Sequence, residues 1–482
     1  MNYKDLTILE LHEAIVSGKI KISEITKDAL KEIESEKSSN AFLAMNESAI
    51  SDSIKLENNL KDNLDNFLYG IPYLAKDNFS TKGIVTTSSS KILENYIPPY
   101  NSTIVDDLEQ KGSIMLGKTA LDELGMGGTG LHSAFGIITN PKDPKRLVGG
   151  SSSGSVYAVS KGIVPFATGS DTGDSIRKPA SYNGVVGFKP SYGALSRYGL
   201  LAYAPSLDTA GFFTKTVDDM AIVSDATIRN DKKDFTSIDI ENKNFFENID
   251  KLDKKTTFAY LDKVHDALPI ELKEKYESFY KKIESLGYKV SKVDFRKDLL
   301  EAIDSVYMMI SFSEGVSTNA NLAGIHFGSR VDGEDFVEIM TKTRSEKFGN
   351  IVKRRFLIGS FNLRKENQIK YLLQAKKVRR LIIEEVMKVL NKFDILILPP
   401  ATGPAPLIEK AQEFEDKLKE AEFLSDILII ANFAGLPSIT IPFIEMEGMP
   451  VGINLNSKPK ADLKVLQAAK LLESLTNGGK YE

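Results

Sequence analysis

Two clusters of serine and glycine, Gly149–Ser155 and Gly169–Ser175, lie close together in the stretch GGSSSGSVYAVSKGIVPFATGSDTGDSIRKP. Glycine lets backbone N–H groups approach a small ligand, and serine hydroxyls relay protons or attack a carbonyl carbon. The segment between them is mostly apolar and predicts a helix followed by a strand, which would bring two polar loops to one place. A third candidate is Lys76. It ends the apolar run YGIPYLAK and precedes Asp77 and Asn78, so burial of its ammonium near polar partners is expected. Other lysines sit in charge-rich helical stretches such as KEIESEK and KKIESLGYK, where solvation is expected. A serine becomes a good nucleophile only when a base takes its proton, and a lysine is that base at neutral pH only if burial and neighbours lower its pKa.

Two other patterns compete. Gly150-Ser151-Ser152-Ser153-Gly154 fits a nucleophile elbow, which would make Ser152 the nucleophile of a Ser-His-Asp enzyme. The elbow requires a strand immediately before it, and the preceding NPKDPKRLV is turn-like and basic. It also requires a histidine late in the chain, and the last one is His326. Gly112 to Thr119, GSIMLGKT, fits a phosphate loop. That loop must follow a strand and open a helix, whereas here a helix comes first and Ser113–Leu116 reads as the strand itself. Both patterns fail on context.

Composition narrows the chemistry further. The absence of cysteine excludes disulfides, zinc–thiolate sites and a cysteine nucleophile. The four histidines, His12, His132, His265 and His326, lack the spacing of a metal site. A formal net charge of -4 gives no overall electrostatic footprint for nucleic acid or an anionic membrane, so any tRNA would be held by a partner or a local patch. No apolar run is long enough to span a bilayer and none follows a basic start, so a cytoplasmic protein is expected.

The elements that must position these residues alternate along the chain. Helices are expected at 7–19 and 23–36, with Thr7 and Ser23 as N-caps, and at 47–64 and 102–111. Strands are expected at 41–45, 69–76 and in VVGFKPS, with loops at 125–148 and in YGALSRYGLLAYAPSLDTAG. Residues 230–395 are helix-rich and charged, with strands at 256–261 and 288–295 and a helical pattern at 364–391 that leads into DILILPP. A helix pattern at 409–434, strands at 437–443 and 450–456, and a helix at 461–475 complete the chain. This alternation predicts an α/β fold in which a large mixed sheet is covered on both faces by helices. One domain over 1–482 is expected, with a catalytic core at about 65–215 and a substrate-selecting helical half at about 230–435.

From Lys76 through the two clusters the chain resembles the amidase signature family: GIPYLAKDN, GGSSSGS and GSDTGDSIRKPASYNGVVGFKPSYG occur in the family's order and spacing. The resemblance implies a catalytic triad of Lys76, Ser151 and Ser175. Ser175 is then the nucleophile, and Ser151 is a relay that follows a cis peptide bond from Gly150. It also implies an oxyanion hole from the backbone N–H groups of Thr172, Gly173, Asp174 and Ser175. Where the family usually has G-G-S, this chain has Gly173-Asp174-Ser175. Lys178 stands four residues after Asp174, the spacing of a helical ion pair, and is expected to neutralise it.

Later motifs, including SEGVSTNANLAGIHFG, VKRRFLIGSF and ANFAGLPSITIP, resemble the branch of the family that supplies ammonia to tRNA-dependent amidotransferases. That resemblance implies hydrolysis of glutamine, with Arg355 holding its carboxylate, Asp426 its α-amine and Thr129 lining the pocket, although the family's S-T-E-T-S continuation is replaced here by Thr129–Ser133. It implies no cofactor in this chain. Its partners would be a kinase-like, tRNA-binding subunit that uses ATP and magnesium, and a small wrapping subunit. The alternatives are a stand-alone amidase for a small amide, which would not need Arg355 and Asp426, and a scaffold protein that has lost catalysis.

Overall fold

Short apolar runs rich in Ile, Val, Leu and Phe supply strands that are buried on both faces, as continuous apolar strands must be. The computed structural model describes residues 3–241, 243–410 and 423–476. Its strands are β1 (Phe42–Met45), β2 (Pro72–Lys76), β3 (Ile114–Thr119), β4 (Phe166–Asp171), β5 (Val186–Lys189), β6 (Thr209–Thr214), β7 (Thr257–Leu261), β8 (Lys289–Val293), β9 (Ile395–Leu398), β10 (Ser438–Met446) and β11 (Met449–Asn456). They form one 11-stranded sheet in the order β1-β3-β2-β4-β6-β5-β10-β11-β9-β7-β8. Pairing is parallel for β2 with β3 and β4, and for β7 with β8 and β9; the other neighbours are antiparallel. The sheet is thus mixed, with helices flanking it, as the alternation predicts. The edge strand β8 carries Lys289 and Lys292 on its exposed positions, which discourages pairing with another chain.

The first helix, Ile8–Val16, starts at Thr7, whose side chain accepts from the Glu10 amide while Glu10 reaches back to the Thr7 amide. Ser23 does not cap the second helix: it lies inside Ile22–Ser35, and Lys21 occupies the cap position. Strand β6 corrects the loop expected up to Gly211. Its sequence TAGFFT has weak strand character at its start, but β4 and β5 pair with it from both sides and impose the conformation. The helix pattern at 409–434 appears as Phe423–Asp426 and Ile429–Ala434; residues 411–422 lie outside the described residues. Gly117, Lys118 and Thr119 belong to β3, so the phosphate-loop pattern is a strand.

Register decides where the chemistry sits. Tyr73 and Leu74 of β2 pair in parallel with Phe166 and Ala167 of β4, so the carboxyl ends of both strands open at the same edge. Such an edge is where α/β sheets present ligand-binding loops. Lys76 ends β2 there, and β4 runs into the second serine cluster.

Candidate active site

Lys76 is fully buried. Its backbone N–H donates to Thr168 Oγ1 of β4 at 2.9 Å, which locks the end of β2 to its neighbour. Its Nζ contacts Ser151 Oγ and Ser152 Oγ at 2.9 Å each, Ser170 Oγ at 2.8 Å and the Ser170 carbonyl at 3.3 Å. An ammonium has three hydrogens for these four oxygens; with the amine neutral, a serine hydroxyl donates to it instead. Among the described residues no carboxylate lies within ion-pair distance. Burial therefore dominates and lowers the Lys76 pKa to about 7, against the more distant fields of Asp122, Asp171 and Asp208.

The first cluster wraps this amine. The Gly150–Ser151 peptide bond is cis. Gly150 is needed for close approach, because a Cβ there would lie 2.0 Å from Asp122 Oδ2 and 2.9 Å from the Thr129 nitrogen. Asp122 is itself fully buried and accepts from the amides of Thr129, Gly130 and His132 at 3.0–3.2 Å, while its own N–H donates to the Ser151 carbonyl at 3.2 Å. Thr129 thus lies beside Gly150, and its hydroxyl accepts from the Leu131 amide at 3.3 Å. Ser152, the elbow candidate, donates to the Ser170 carbonyl at 3.1 Å and is fully buried, so its role is to hold Ser170 and Lys76.

The second cluster forms the loop from β4 to the helix Arg177–Asn183. Ser175 is 4% exposed, and its carbonyl accepts from the Ser152 amide at 3.3 Å, which places it against the first cluster. Among the described residues the amides of Thr172, Gly173, Asp174 and Ser175 have no acceptor within bonding distance, so the loop presents a row of unsatisfied donors. Arg177, fully buried, holds the loop in shape. It donates to both Asp171 oxygens at 2.9–3.0 Å and to the Gly173 carbonyl at 2.6 Å. Burial alone would raise the Asp171 carboxyl, but the Arg177 charge and hydrogen bonds hold it at about 2. Asp174 forms an ion pair with Lys178, as expected from their spacing. Burial opposes the Lys178 charge, yet Asp174, Tyr182 and Asp426 more than offset this and hold its ammonium above the usual lysine range. The Asp426 carboxylate is thus close enough to Lys178 for its field to be felt there.

The helices Ile303–Thr318 and Asn350–Leu363 pack on each other and bring further groups towards the loop. Arg355 is half-buried, donates to the Tyr203 hydroxyl at 3.2 Å and lies over the Phe312 ring at 5.1 Å. Tyr203 donates in turn to Ser311 Oγ at 3.1 Å. Tyr307 closes on the loop: a Cβ built at Gly173 would be 3.2 Å from its Cζ and 3.3 Å from its hydroxyl oxygen. Burial raises the Asp304 carboxyl, with Arg355 and Lys178 acting against it. Charges of both signs, Lys178, Asp174, Arg355 and Asp304, thus influence one another near the loop. A separate cleft of about 970 Å³, lined by Met45, Glu47, Lys82 and Glu109 among others, includes none of these groups.

Sequence reasoning missed Ser170, Asp122, Asp171, Arg177 and Tyr307. The first four stand in or beside the motifs, and their residue types could have drawn attention. Tyr307 carries no local signal, because its role depends on a contact across 134 positions (307 − 173).

Known proteins resemble this chain along nearly its whole length. The Amidase family model matches residues 24–466. The A subunit of glutamyl-tRNA(Gln) amidotransferase from Mycoplasma pneumoniae is 40% identical over 475 residues, covering 97% of this chain and 98% of that protein. Its counterpart of the same name from Thermoanaerobacter pseudethanolicus is 40% identical over 480 residues, covering 98% and 97%. The crystal structure of the Thermotoga maritima counterpart superposes with a TM-score of 0.79 at 32% identity, covering 100% of this chain and 98% of that one. Peptide amidase from Stenotrophomonas maltophilia shares the fold, with a TM-score of 0.83 at 22% identity over 99% of this chain and 98% of that one. With its buried lysine, its two serine loops and this full-length likeness, the chain belongs to the amidase family.

Proposed function

We propose that this chain is the glutaminase subunit of a tRNA-dependent amidotransferase. The observation that carries the reading is the contact of Lys76 Nζ with Ser151 Oγ, beside the Ser175 loop. Neutral Lys76 takes a proton from Ser151, which takes one from Ser175 as its Oγ attacks the side-chain amide carbon of glutamine. The carbonyl oxygen becomes an oxyanion, stabilised by the amides of the 172–175 loop. Return of the proton through Ser151 to the amide nitrogen breaks the C–N bond, releases ammonia and leaves a glutamyl ester on Ser175. Water, deprotonated along the same route, then releases glutamate.

Arg355 binds the α-carboxylate and Asp426 the α-ammonium, with Thr129 along the pocket wall. The catalytic groups come from about 65–215 and the selecting groups from about 230–435. The relatives' shared name, which specifies tRNA(Gln) and one member of a multisubunit enzyme, supports delivery of the ammonia to a partner protein. That partner activates glutamyl-tRNA(Gln) with ATP and magnesium, and a small third protein wraps the interface. This chain needs no cofactor of its own, and its net charge of -4 is in keeping with tRNA held by the partners, in the cytoplasm. Among the described residues no helix is long and apolar enough to cross a membrane.

The test is Ser175→Ala in the assembled enzyme. Glutamine-dependent amidation of the tRNA should vanish while amidation from free ammonia persists. Persistence of both would favour a scaffold, and full glutaminase activity of the isolated chain on any small amide would favour a stand-alone amidase.

A further inference from the structure

Next to Asp122, which fastens the first serine cluster, stands a second buried carboxylate that the catalytic scheme leaves unused. Glu123 is 2% exposed. Its Oε1 accepts from Ser90 Oγ at 2.5 Å and its Oε2 from the Gly349 amide at 2.8 Å. Its own N–H donates to the His132 carbonyl at 3.1 Å, and its carbonyl accepts from the Met126 amide at 2.9 Å. Gly349 is the N-cap residue of the helix Asn350–Leu363, the helix that carries Arg355. The fit leaves no slack: a Cβ at Gly349 would lie 2.5 Å from Glu123 Oε2. A carboxylate also suits the positive end of that helix.

We infer that Glu123 is a positioning residue that sets the register of the Arg355 helix against the Lys76–Ser151–Ser175 centre. One backbone segment, Asp122–Glu123, then grips the catalytic cluster with one carboxylate and the substrate-binding helix with the next. The pocket for the substrate carboxylate and the nucleophile that attacks the far end of the same molecule are held in one frame. A second bond joins that frame to the Ser88–Ser90 turn, whose Ser88 and Ser89 adopt positive φ values of 49° and 54° and whose Ser88 carbonyl accepts from the Leu124 amide. The inference rests on the reading of Arg355 as the carboxylate clamp.

The experiment is steady-state glutaminase kinetics on the full chain in its amidotransferase assembly. Glu123→Ala should raise KM for glutamine by roughly tenfold to a hundredfold, the scale of a displacement of about 1 Å at a positioning group, with a much smaller change in kcat. Glu123→Gln, whose side-chain oxygen can still accept from Gly349, should restore most of the affinity. Gly349→Ala, which retains the carboxylate but pushes it aside, should raise KM likewise, and the double variant with Glu123→Ala should be no worse than the poorer single one. Gly349→Ala carries the test if Glu123→Ala fails to fold. An unchanged KM in the folded variants, or a fall in kcat alone, would overturn the inference. Arg355→Ala separates the premise: an unaltered KM there removes the clamp itself, whereas a raised KM in Arg355→Ala with none in the Glu123 and Gly349 variants removes only the strut.

Discussion

Two lysines at the ends of neighbouring parallel strands have opposite duties. Ala75 of β2 pairs with Lys118 of β3, and Lys76 with Thr119, so Lys76 and Lys118 sit one step apart in the sheet, both fully buried. Lys118 meets the Asp77 carboxylate at 3.4 Å and donates to the Phe79 carbonyl at 2.6 Å and Thr86 Oγ1 at 3.0 Å. Burial lowers its pKa to about 8, and Asp77 opposes the fall. Among the described residues Lys76 meets only hydroxyls and one carbonyl, and burial lowers it to about 7. With its carboxylate the first lysine is a strut between a strand and two turns. Without one, the second is left among serine hydroxyls, the setting that the proposed proton relay needs. Burial alone does not make a base; withholding the counter-ion does.

Substitutions at the two sites should separate them. The largest effect belongs to Lys76→Ala, which should lower kcat for glutamine by about 10⁴-fold or more while the chain stays folded, read from steady-state kinetics beside circular dichroism. Lys118→Met should do the reverse. It leaves Asp77 charged and unpaired in the interior, at a cost of roughly 3–5 kcal/mol in urea denaturation, with kcat per folded molecule retained. Adding Asp77→Asn should recover part of that loss, and a variant that unfolds no more easily than the parent would show that the pair is not a strut. Next comes pH. Protonated Lys76 cannot accept the Ser151 proton, so kcat/KM should fall about tenfold per unit below pH 7 and level off above it. The inflection should stay in place in Lys118→Met. The smallest effect is expected of Lys178→Ala, which exposes the nucleophile loop to the Asp174 charge: about a fivefold loss of kcat, the scale of a modest ion pair. Unchanged hydrolysis would mean that Asp174 points its field away from the oxyanion.

The difference between the lysines was partly legible in the sequence. Lys76 follows an apolar strand and precedes polar residues, so its burial could be read as a local pattern, while the duties of the serines were implied by the resemblance of their motifs to a family. GSIMLGKT could likewise be refused as a phosphate loop from its neighbours alone. What could not be read depends on contacts between distant segments. Strand β6 is a strand because β4 and β5 flank it, and Tyr307 meets Gly173 only because a helix of the later half packs on the loop. Arg177 was visible as a letter of the second motif, but its partners were not.

Those partners lie far along the chain. Besides Asp171 and Gly173, the Arg177 guanidinium donates to the Leu428 carbonyl and to Asn432 Oδ1 at 2.7 Å, and to Ser438 Oγ at 3.3 Å. A nascent chain that has emerged as far as residue 420 already carries Lys76, Ser151, Ser175 and Arg355, yet it lacks three of the groups that fix the nucleophile loop. The full set of bonds made by Arg177 therefore needs residues from both halves of the chain. A single guanidinium thus ties the second serine motif to the last strands of the sheet, and a truncation before Leu428 would remove three of its acceptors.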